Sequence, residues 1–326
     1  MRTAFVTGGS GHVGGNLVRL LLNKGWTVRC LIHKDMRALE GLNIEKVKGD
    51  LLDVDFLCDK LSGSDAVFHA AAQIAIENVD IELMHKINVE GTRSVTRAAL
   101  KAGVNRFIHF SSIHAYEQTP IDAELNESRP LVSRSNAAPY DASKAEAERV
   151  VLEAFSKGLK TVIINPTGIL GPHDYKPSRM GKVISDISKK KMIFTINAGF
   201  DWVDVRDVCE AAIKSVDQGT PGESYIISGK WTSFRDLSQI IGKKIEKITH
   251  WVSLPFWTAY VFLPFAFVLS RLTGRRPSYS LGSLHALAVQ PKTVSSGKAR
   301  RELNHQPRSI DATIEDTINW NNAHAG

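Results

Sequence analysis

Two side chains that could exchange a proton with a substrate lie four residues apart in this sequence. Tyr140 and Lys144 follow Pro139, a residue type that often begins a helix, and their spacing places both on one helix face. Because a nearby ammonium favours the phenolate, we expect Lys144 to lower the pKa of Tyr140 from its ordinary value of about 10. Ser112, at the end of a predicted strand, could hydrogen-bond the same substrate oxygen. This set predicts general acid–base chemistry at a carbonyl or alcohol oxygen.

A glycine-rich turn near the amino terminus predicts a second kind of chemistry. It lies between a short apolar run, 3–7, and a helical pattern that ends at Gly25. Strand, glycine turn and helix in this order form the first unit of a dinucleotide-binding fold. The helix N-terminus offers N–H groups and partial positive charge to the phosphates. We therefore predict a dinucleotide site at Gly8, Ser10, Gly11, His12, Val13 and Gly14.

The elements that must position these residues alternate between strand and helix. After the first unit, strands are predicted at 27–32, 45–48, 66–69, 106–110, 160–165 and 223–228. Two helical patterns place Leu83 and Phe155 on their buried sides. Such alternation predicts an α/β fold with a Rossmann-type doubly wound parallel sheet, followed by a smaller, mostly helical C-terminal substrate domain. We expect the dinucleotide-binding domain to span 1–170, with 201–229 returning to it, and the substrate domain to span 171–200 and 230–326.

The end of the second strand bears on the choice of cofactor. An acidic residue there usually meets the ribose hydroxyls of NAD, whereas basic residues meet the 2′-phosphate of NADP. This chain has His33, Lys34 and Arg37 at that place, with Asp35 as the one opposing charge. The pattern favours NADP, and NAD remains the alternative.

Composition narrows the class of protein. The formal net charge is +7, with basic clusters but no nucleic-acid-binding motif, so we expect no nucleic-acid partner. The clusters fit a solvated surface, an anionic substrate or a membrane surface. Three cysteines lie far apart without metal-ligand spacing, which predicts reduced thiols, no metal site and a cytoplasmic location. No signal peptide is expected, because the first strand begins directly after Met1 and Arg2.

Taken together, these motifs resemble the extended short-chain dehydrogenases/reductases, within the epimerase/dehydratase superfamily, along nearly the whole chain. The segments 140–146 and 165–172 are similar to the dihydroflavonol-reductase-like branch, which also contains hydroxysteroid dehydrogenases. The resemblance implies a catalytic triad of Ser112, Tyr140 and Lys144, with Lys144 also bonding the nicotinamide ribose. It further implies cofactor contacts at Asp50, Leu51, Ala70, Ala71, Ala72, Ser111, Pro166 and Ile169, and it matches Asn88 to an asparagine common in the fourth helix.

The sequence indicates less about the substrate than about the cofactor and the catalytic residues. Nucleotide-sugar epimerases usually carry Val-Tyr-Gly after the catalytic serine, where this chain has His114-Ala115-Tyr116-Glu117. We therefore favour a carbonyl reductase or alcohol dehydrogenase with a small apolar substrate, polycyclic or lipid-like, over an epimerase or dehydratase. A non-catalytic dinucleotide sensor is the third reading, disfavoured by the intact triad. His114, Tyr116 and Thr167 are the candidates to line the substrate.

The run 251–270 contains no Asp, Glu, Lys or Arg. Its length would allow it to cross a bilayer, but Pro255 and Pro264 divide it, so we do not expect a spanning helix. We expect a wall or lid of the substrate pocket. Covering such an apolar segment requires the cofactor domain, substrate, a second subunit in a homodimer, or peripheral contact with lipid.

Overall fold

The computed structural model describes residues 2–33, 35–73, 80–188, 194–245, 252–273, 284, 287–288 and 290–324. Within these ranges the strands are β1 (Thr3–Thr7), β2 (Thr27–Ile32), β3 (Glu45–Lys48), β4 (Ala66–His69), β5 (Arg106–Phe110), β6 (Thr161–Pro166), β7 (Gly168–Leu170), β8 (Phe194–Ile196), β9 (Gly199–Asp204), β10 (Ser224–Ile227), β11 (Lys230–Ser233) and β12 (Val252–Leu254). The helices are α1 (His12–Asn23), α2 (Val54–Leu61), α3 (Ile81–His85), α4 (Gly91–Lys101), α5 (Pro139–Ser156), α6 (Arg179–Ser188), α7 (Val205–Gln218), α8 (Phe234–Lys244), α9 (Thr258–Thr273), α10 (Gly297–Leu303) and α11 (Ile310–Ala323).

Seven strands form one parallel sheet in the order β10-β6-β5-β4-β1-β2-β3. The chain starts in the middle, at β1, proceeds to the β3 edge, and then returns through β4 to the β10 edge. Val6 of β1 pairs with Cys30 on one side and with Phe68 on the other. Because the strand order reverses between β1 and β4, ligands are expected outside the carboxyl ends of these strands. The predicted Rossmann-type sheet is confirmed.

Helices cover both faces of this sheet. Alternate side chains of a strand point to opposite faces, so Val6 packs under α1 and α7 while Phe5 packs under α2, α4 and α5. On the first face Leu17 of α1 and Cys209 of α7 are fully buried. The two apolar layers fix the sheet and thereby the strand ends that carry the candidate site.

A smaller region follows the main sheet. Strands β7, β9 and β11 form a three-stranded sheet, and β8 pairs with β12. The apolar cluster between these strands and α6, α8 and α11 includes Leu170, Trp202 and Ile314. This region is mostly helical, as the sequence predicts, and the two short sheets are additional elements that the pattern does not reveal.

Two side chains that the helical pattern assigns to the interior lie at the surface. Leu83 is 46% exposed, whereas its neighbour Met84 is buried. A π-helical turn, Lys86–Glu90, separates α3 from α4, and its wider turn rotates the earlier residues relative to the later ones. Phe155 is also exposed; in the last turn of α5 its ring occupies the space left by Gly222, which has no side chain. Both predictions are therefore wrong.

Candidate active site

The turn between β1 and α1 depends on its glycines. Gly8 has a φ of +74°, and a Cβ at this position would lie 2.5 Å from the backbone nitrogen of Ala71. A Cβ on Gly14 would overlap the carbonyl oxygen of Gly8. Gly11 is the N-cap of α1 and supplies no side chain to cap the helix. The first N–H groups of α1 therefore meet a narrow turn clear of side chains, an arrangement that fits the phosphates of a dinucleotide.

The neighbouring strand end and a loop from the smaller region border this turn. Ala70 and Ala71 are partly buried beside Gly8, and Ala72 is exposed. The Nε2 atom of His12 lies 3.0 Å from the carbonyl oxygen of Pro172, which follows β7. Two other residues of this turn that are predicted to contact the cofactor, Ser10 and Val13, are partly buried on its α1 side.

Asp50 and Leu51 follow β3 at the edge of the sheet. The exposed Asp50 accepts a hydrogen bond from the backbone nitrogen of Leu52 at 3.0 Å. Leu51 packs against Gly91, the first residue of α4, where a Cβ would lie 2.5 Å from a methyl group of Leu51. An adenine contact at this pair stays a prediction.

The cationic group expected at the end of β2 has its own counter-ion. Asp35 accepts hydrogen bonds from Arg37 at two atom pairs, Nε to Oδ1 at 3.0 Å and Nη2 to Oδ2 at 2.7 Å. The Arg37 guanidinium holds the pKa of Asp35 at about 2, so the carboxylate stays charged. His33 is exposed and Lys34 lies outside the described residues. Arg37 is therefore partly neutralised where the 2′-phosphate of NADP would bind.

Ser112, Tyr140 and Lys144 come together at the carboxyl end of β5. The Tyr140 phenol lies beside the Ser112 hydroxyl, which acts to lower the Tyr140 pKa, and Ser112 is buried. The Nζ atom of Lys144 donates a hydrogen bond of 2.7 Å to the carbonyl oxygen of Phe110, the last residue of β5. Tyr140 and Lys144 belong to successive turns of α5, so the helix positions both against the same strand.

The protonation of Tyr140 differs from the expectation. Burial raises its pKa, the carboxylate of Asp141 raises it further, and the neighbouring Ser112 hydroxyl acts in the opposite direction. Burial also lowers the pKa of Lys144 to about 8, while its ammonium is directed at the carbonyl of Phe110. Desolvation and Asp141 thus outweigh the ammonium, and the expectation that Lys144 lowers the pKa of Tyr140 is wrong for this arrangement. Tyr140 holds its proton at neutral pH.

Two buried polar residues behind the catalytic set were not anticipated. The side chain of Asn165 donates to Glu148 at 2.6 Å and to the carbonyl oxygen of Ser112 at 3.2 Å. Burial raises the pKa of Glu148 to about 7, and the hydrogen bond from Asn165 acts in the opposite direction. The signal in the sequence is the spacing of Tyr140, Lys144 and Glu148, which places all three on one face of α5.

Asn88 lies in the π-helical turn and is buried. Its side chain accepts from the nitrogen of Gln73 at 2.7 Å and donates to the carbonyl oxygen of Gln73 at 3.1 Å. It also donates to the hydroxyl of Ser143 in α5 at 3.0 Å. One side chain therefore ties the segment that follows β4 to the helix that carries Tyr140.

The three predicted substrate residues occupy different surroundings. The Nδ1 atom of His114 lies 3.8 Å from a carboxylate oxygen of Asp141, and its ring centroid is 6.0 Å from that of Phe200. Thr167 is buried, and its hydroxyl donates to the carbonyl oxygen of Ile227 at 3.5 Å; it lies close to Asp201, whose pKa is raised by burial. Tyr116 lies instead in an apolar cluster, formed by Ile113, Tyr116, Leu125 and Ile226, which leaves it away from an open pocket.

The predicted nicotinamide contacts follow the neighbouring strand. Pro166 ends β6 and is buried, and Ile169 is partly buried against the main core. Ser111, which follows β5, is buried and lies close to Glu148. The structure thus brings these residues to the carboxyl ends of β5 and β6, where the crevice is expected.

A doubly wound parallel sheet with a glycine turn and a Ser–Tyr–Lys set at its carboxyl edge defines a Rossmann-type protein of the short-chain dehydrogenase/reductase class. The chain belongs to the NAD dependent epimerase/dehydratase family, whose model matches residues 4–228. It is an extended member of that class, and its relatives include a dihydroflavonol-reductase-like protein, as the sequence motifs predict.

Three relatives match nearly the whole chain. Sterol demethylase protein B of Methylococcus capsulatus is 33% identical over 98% of this chain and 98% of its own length. A putative dihydroflavonol 4-reductase of a Synechocystis strain is 33% identical over 97% and 93%. The 4-hydroxy-2-methyl-3-oxo-4-farnesyl-3,4-dihydroquinoline-1-oxide ketoreductase of Stigmatella aurantiaca is 31% identical over 94% and 92%.

A solved structure agrees with this assignment. The crystal structure of gox2253 is 33% identical to this chain, covers 99% of both chains, and superposes with a TM-score of 0.85. The smaller region is therefore included in the similarity, together with the main sheet.

Proposed function

We propose that this protein is an NADP-dependent oxidoreductase that reduces a ketone or aldehyde, or oxidises the alcohol, of a small apolar, lipid-like substrate. The observation that carries the proposal is that Ser112, Tyr140 and Lys144 come together at the carboxyl end of β5. This set lies at the same sheet edge as the glycine turn. A protein that only sensed a dinucleotide would not need it.

The residues proposed to hold the cofactor share the carboxyl edge of the main sheet: Gly8, Ser10, Gly11, His12, Val13, Gly14, His33, Lys34, Arg37, Asp50, Leu51, Ala70, Ala71, Ala72, Ser111, Tyr140, Lys144, Pro166 and Ile169. The nicotinamide, when bound, supplies or accepts a hydride at the substrate carbon. We assign to Lys144 a bond to the nicotinamide ribose. The alternative cofactor is NAD, which is the cofactor that the family name gives.

In the reducing direction Tyr140 would donate its proton to the substrate oxygen while Ser112 holds that oxygen by a hydrogen bond. The raised pKa of Tyr140 supports this role, because a protonated phenol is a donor at neutral pH. Asn165 fixes the backbone of Ser112 through its carbonyl oxygen, which keeps the serine hydroxyl in place. The arrangement therefore suits reduction better than oxidation near neutral pH.

Two relatives support an apolar substrate. One carries a sterol in its name, and another is a ketoreductase whose named compound carries a farnesyl chain. In this chain His114 and Thr167 remain the candidates to line the substrate. Tyr116 is not retained, because its side chain is enclosed by the apolar cluster that includes Leu125 and Ile226.

The test of the reaction is net oxidation of NADPH. A panel of aldehydes, ketones and sterol ketones is offered to wild-type protein and to Tyr140→Phe, with Tyr175→Phe as a matched control. We expect stoichiometric loss of NADPH absorbance with at least one apolar ketone, kept by the control and lost in Tyr140→Phe. The epimerase or dehydratase reading, which the family name favours, predicts product without net change in NADPH.

Cofactor choice has a separate test. We expect tighter binding of NADPH than of NADH, with a preference that weakens as salt rises, because the extra contact is ionic. Arg37→Ala should remove the preference, whereas Arg29→Ala, which removes another ion-paired arginine of β2, should retain it. Equal affinities for the two cofactors would contradict the preference for NADP and favour NAD. Asp35, which pairs with Arg37, would then be the residue that offsets the basic charge.

The cellular setting is also a proposal. Free Cys30, Cys58 and Cys209 support a reducing, cytoplasmic location. A small-molecule substrate is the expected partner, and a homodimer and peripheral membrane contact are compatible with the exposed apolar residues of the smaller region. Of the helices in the described part of the chain, none has the length and apolar character needed to cross a membrane.

A further inference from the structure

The net positive charge of this protein comes from one stretch of sequence. Residues 247–301 contain no Asp or Glu but eight Lys or Arg residues, so this stretch carries a formal charge of +8 while the whole chain carries +7. The remaining residues together are therefore close to neutral. The eight residues are Lys247, Arg271, Arg275, Arg276, Lys292, Lys298, Arg300 and Arg301.

The same stretch contains α9, which presents large apolar side chains to solvent. Trp257, Val261 and Phe265 follow one another at four-residue intervals and are 64%, 52% and 69% exposed. Such a spacing places them on one face, which Tyr260 and Phe262 extend. Trp257 lies in the turn directly before α9, and we call these five residues together the apolar face of α9.

The fully buried residues of α9, among those whose side chains the structure describes, are small. Ala259 is buried, and so is Thr258, whose hydroxyl donates to the carbonyl oxygen of Pro255 at 2.7 Å. An ordinary surface helix shows the reverse pattern, with its large apolar residues on the core and polar residues outside. The outward apolar face of α9 therefore requires a partner other than the protein core.

We propose that the apolar face of α9 docks the protein on an anionic lipid bilayer. Aromatic and aliphatic side chains on one side of a helix, combined with basic residues nearby, are the features of a helix that lies in the membrane interface. The charge of +8 in the surrounding stretch matches the negative surface of such a bilayer. Pro264 within α9 agrees with a helix that lies on the bilayer rather than across it.

A second copy of the chain fits this face less well. A symmetric dimer would set the apolar face of one protomer on the same face of the other. Each protomer would then bring the basic residues that flank α9 in the sequence towards those of the other, and like charges oppose association. An anionic surface has no such conflict. This inference is independent of the proposed reaction, since its readout needs no turnover.

The experiment measures co-sedimentation of the full chain with vesicles of phosphatidylcholine alone and with vesicles that also contain phosphatidylglycerol. We expect binding to the anionic vesicles that weakens at high salt. The double variant Trp257→Ser with Phe265→Ser should bind at least about tenfold more weakly, because it removes apolar area from the interface. A double variant of exposed apolar residues elsewhere, Leu83→Ser with Ile121→Ser, should bind as the wild type does.

Fluorescence and oligomeric state complete the test. The emission of Trp257 is obtained by subtracting the spectrum of Trp257→Phe from that of wild type. This emission should shift to shorter wavelength when anionic vesicles are added. Undiminished vesicle binding by the Trp257 and Phe265 double variant would overturn the proposal. So would a concentration-dependent dimer that this variant abolishes while wild-type protein ignores the vesicles, since that result would make a second copy the partner.

Discussion

At the scale of single residues, the site departs from the simple picture of a lysine that ionises a tyrosine. The Lys144 ammonium donates a hydrogen bond to the carbonyl oxygen of Phe110, and burial lowers the pKa of Lys144 to about 8. Tyr140 is left with a raised pKa under the influence of burial and Asp141. The spacing of Tyr140 and Lys144 correctly places both at one site, but it carries no information about burial or about Asp141.

The first prediction concerns the proton of Tyr140. In an ultraviolet titration of the free protein, the difference between wild type and Tyr140→Phe should show no phenolate below about pH 10, the ordinary tyrosine value. Ketone reduction by Tyr140→Phe should be slower by a factor of about 10² to 10⁴, the usual loss for a general acid. Tyr175→Phe, a partly buried control whose hydroxyl accepts from Arg19, should change neither result. A phenolate that forms near neutral pH only in wild type would restore the role expected of Lys144.

The second prediction concerns Glu148 and pH. Burial raises its pKa from 4.5 to about 7 in the folded protein. A raised carboxyl pKa contributes stability that is complete below the unfolded value and is lost as pH rises through the folded value. Between pH 5 and 7 the free energy of unfolding of wild type should therefore fall, relative to Glu148→Gln, by up to about 1.4 kcal/mol per pH unit.

The control for this titration is Glu40→Gln, at an exposed glutamate. Its free energy of unfolding should run parallel to that of wild type across the same range of pH. Parallel curves for wild type and Glu148→Gln would show that Glu148 is ionised in both the folded and the unfolded protein over that range.

At the scale of elements, the sequence predicts those strands and helices that local residue patterns and position in the chain determine. Most strands of the main sheet are largely apolar runs that end at glycine, polar or small residues, so their positions along the chain and the crevice at their ends follow from the sequence; β3, at the edge, has Val47 as its one apolar residue. The short strands β7, β8, β11 and β12 have three or four residues each and pair with distant segments, and no local periodicity marks them. No local pattern in the sequence indicates the π-helical turn either. This turn explains why Leu83 is exposed.

The third prediction tests that π-helical turn. Asn88→Leu removes the hydrogen bonds that join the turn to Gln73 and to Ser143, and it leaves buried polar groups without partners. The free energy of unfolding should fall by about 1–3 kcal/mol, as measured by denaturant titration. Asn23→Leu, at the exposed end of α1, should have little effect. An equal loss in both variants would assign the effect to asparagine replacement in general.

At the scale of the whole molecule, the C-terminal helices join the two apolar cores. Ala299 and Leu303 of α10 belong to the core of the main sheet. Ile310 and Ile314 of α11 belong to the core of the smaller region. No sequence pattern predicts this link, because the partners of α10 and α11 lie far away in the chain.

Polar contacts strengthen the same connection. The hydroxyl of Thr313 in α11 donates to the buried carboxylate of Asp204 at 2.8 Å. The backbone nitrogen of Arg308 donates to Asp207 of α7 at 2.7 Å, and its guanidinium pairs with the same carboxylate. Only 304–309 separate α10 from α11, so movement of one core relative to the other would break these contacts.

The last prediction follows from that connection: the protein should unfold in one cooperative transition, and damage to either core should shift all of it. Leu303→Ala and Ile314→Ala each empty a fully buried site, which costs about 2–5 kcal/mol. Calorimetry and denaturant titration should show each variant with a single transition at lower temperature or denaturant concentration, and an exposed leucine change, Leu83→Ala, should leave it unmoved. If Ile314→Ala instead split the curve and lowered only an early step, the two cores would unfold independently, and α10 and α11 would be a tether rather than a structural link.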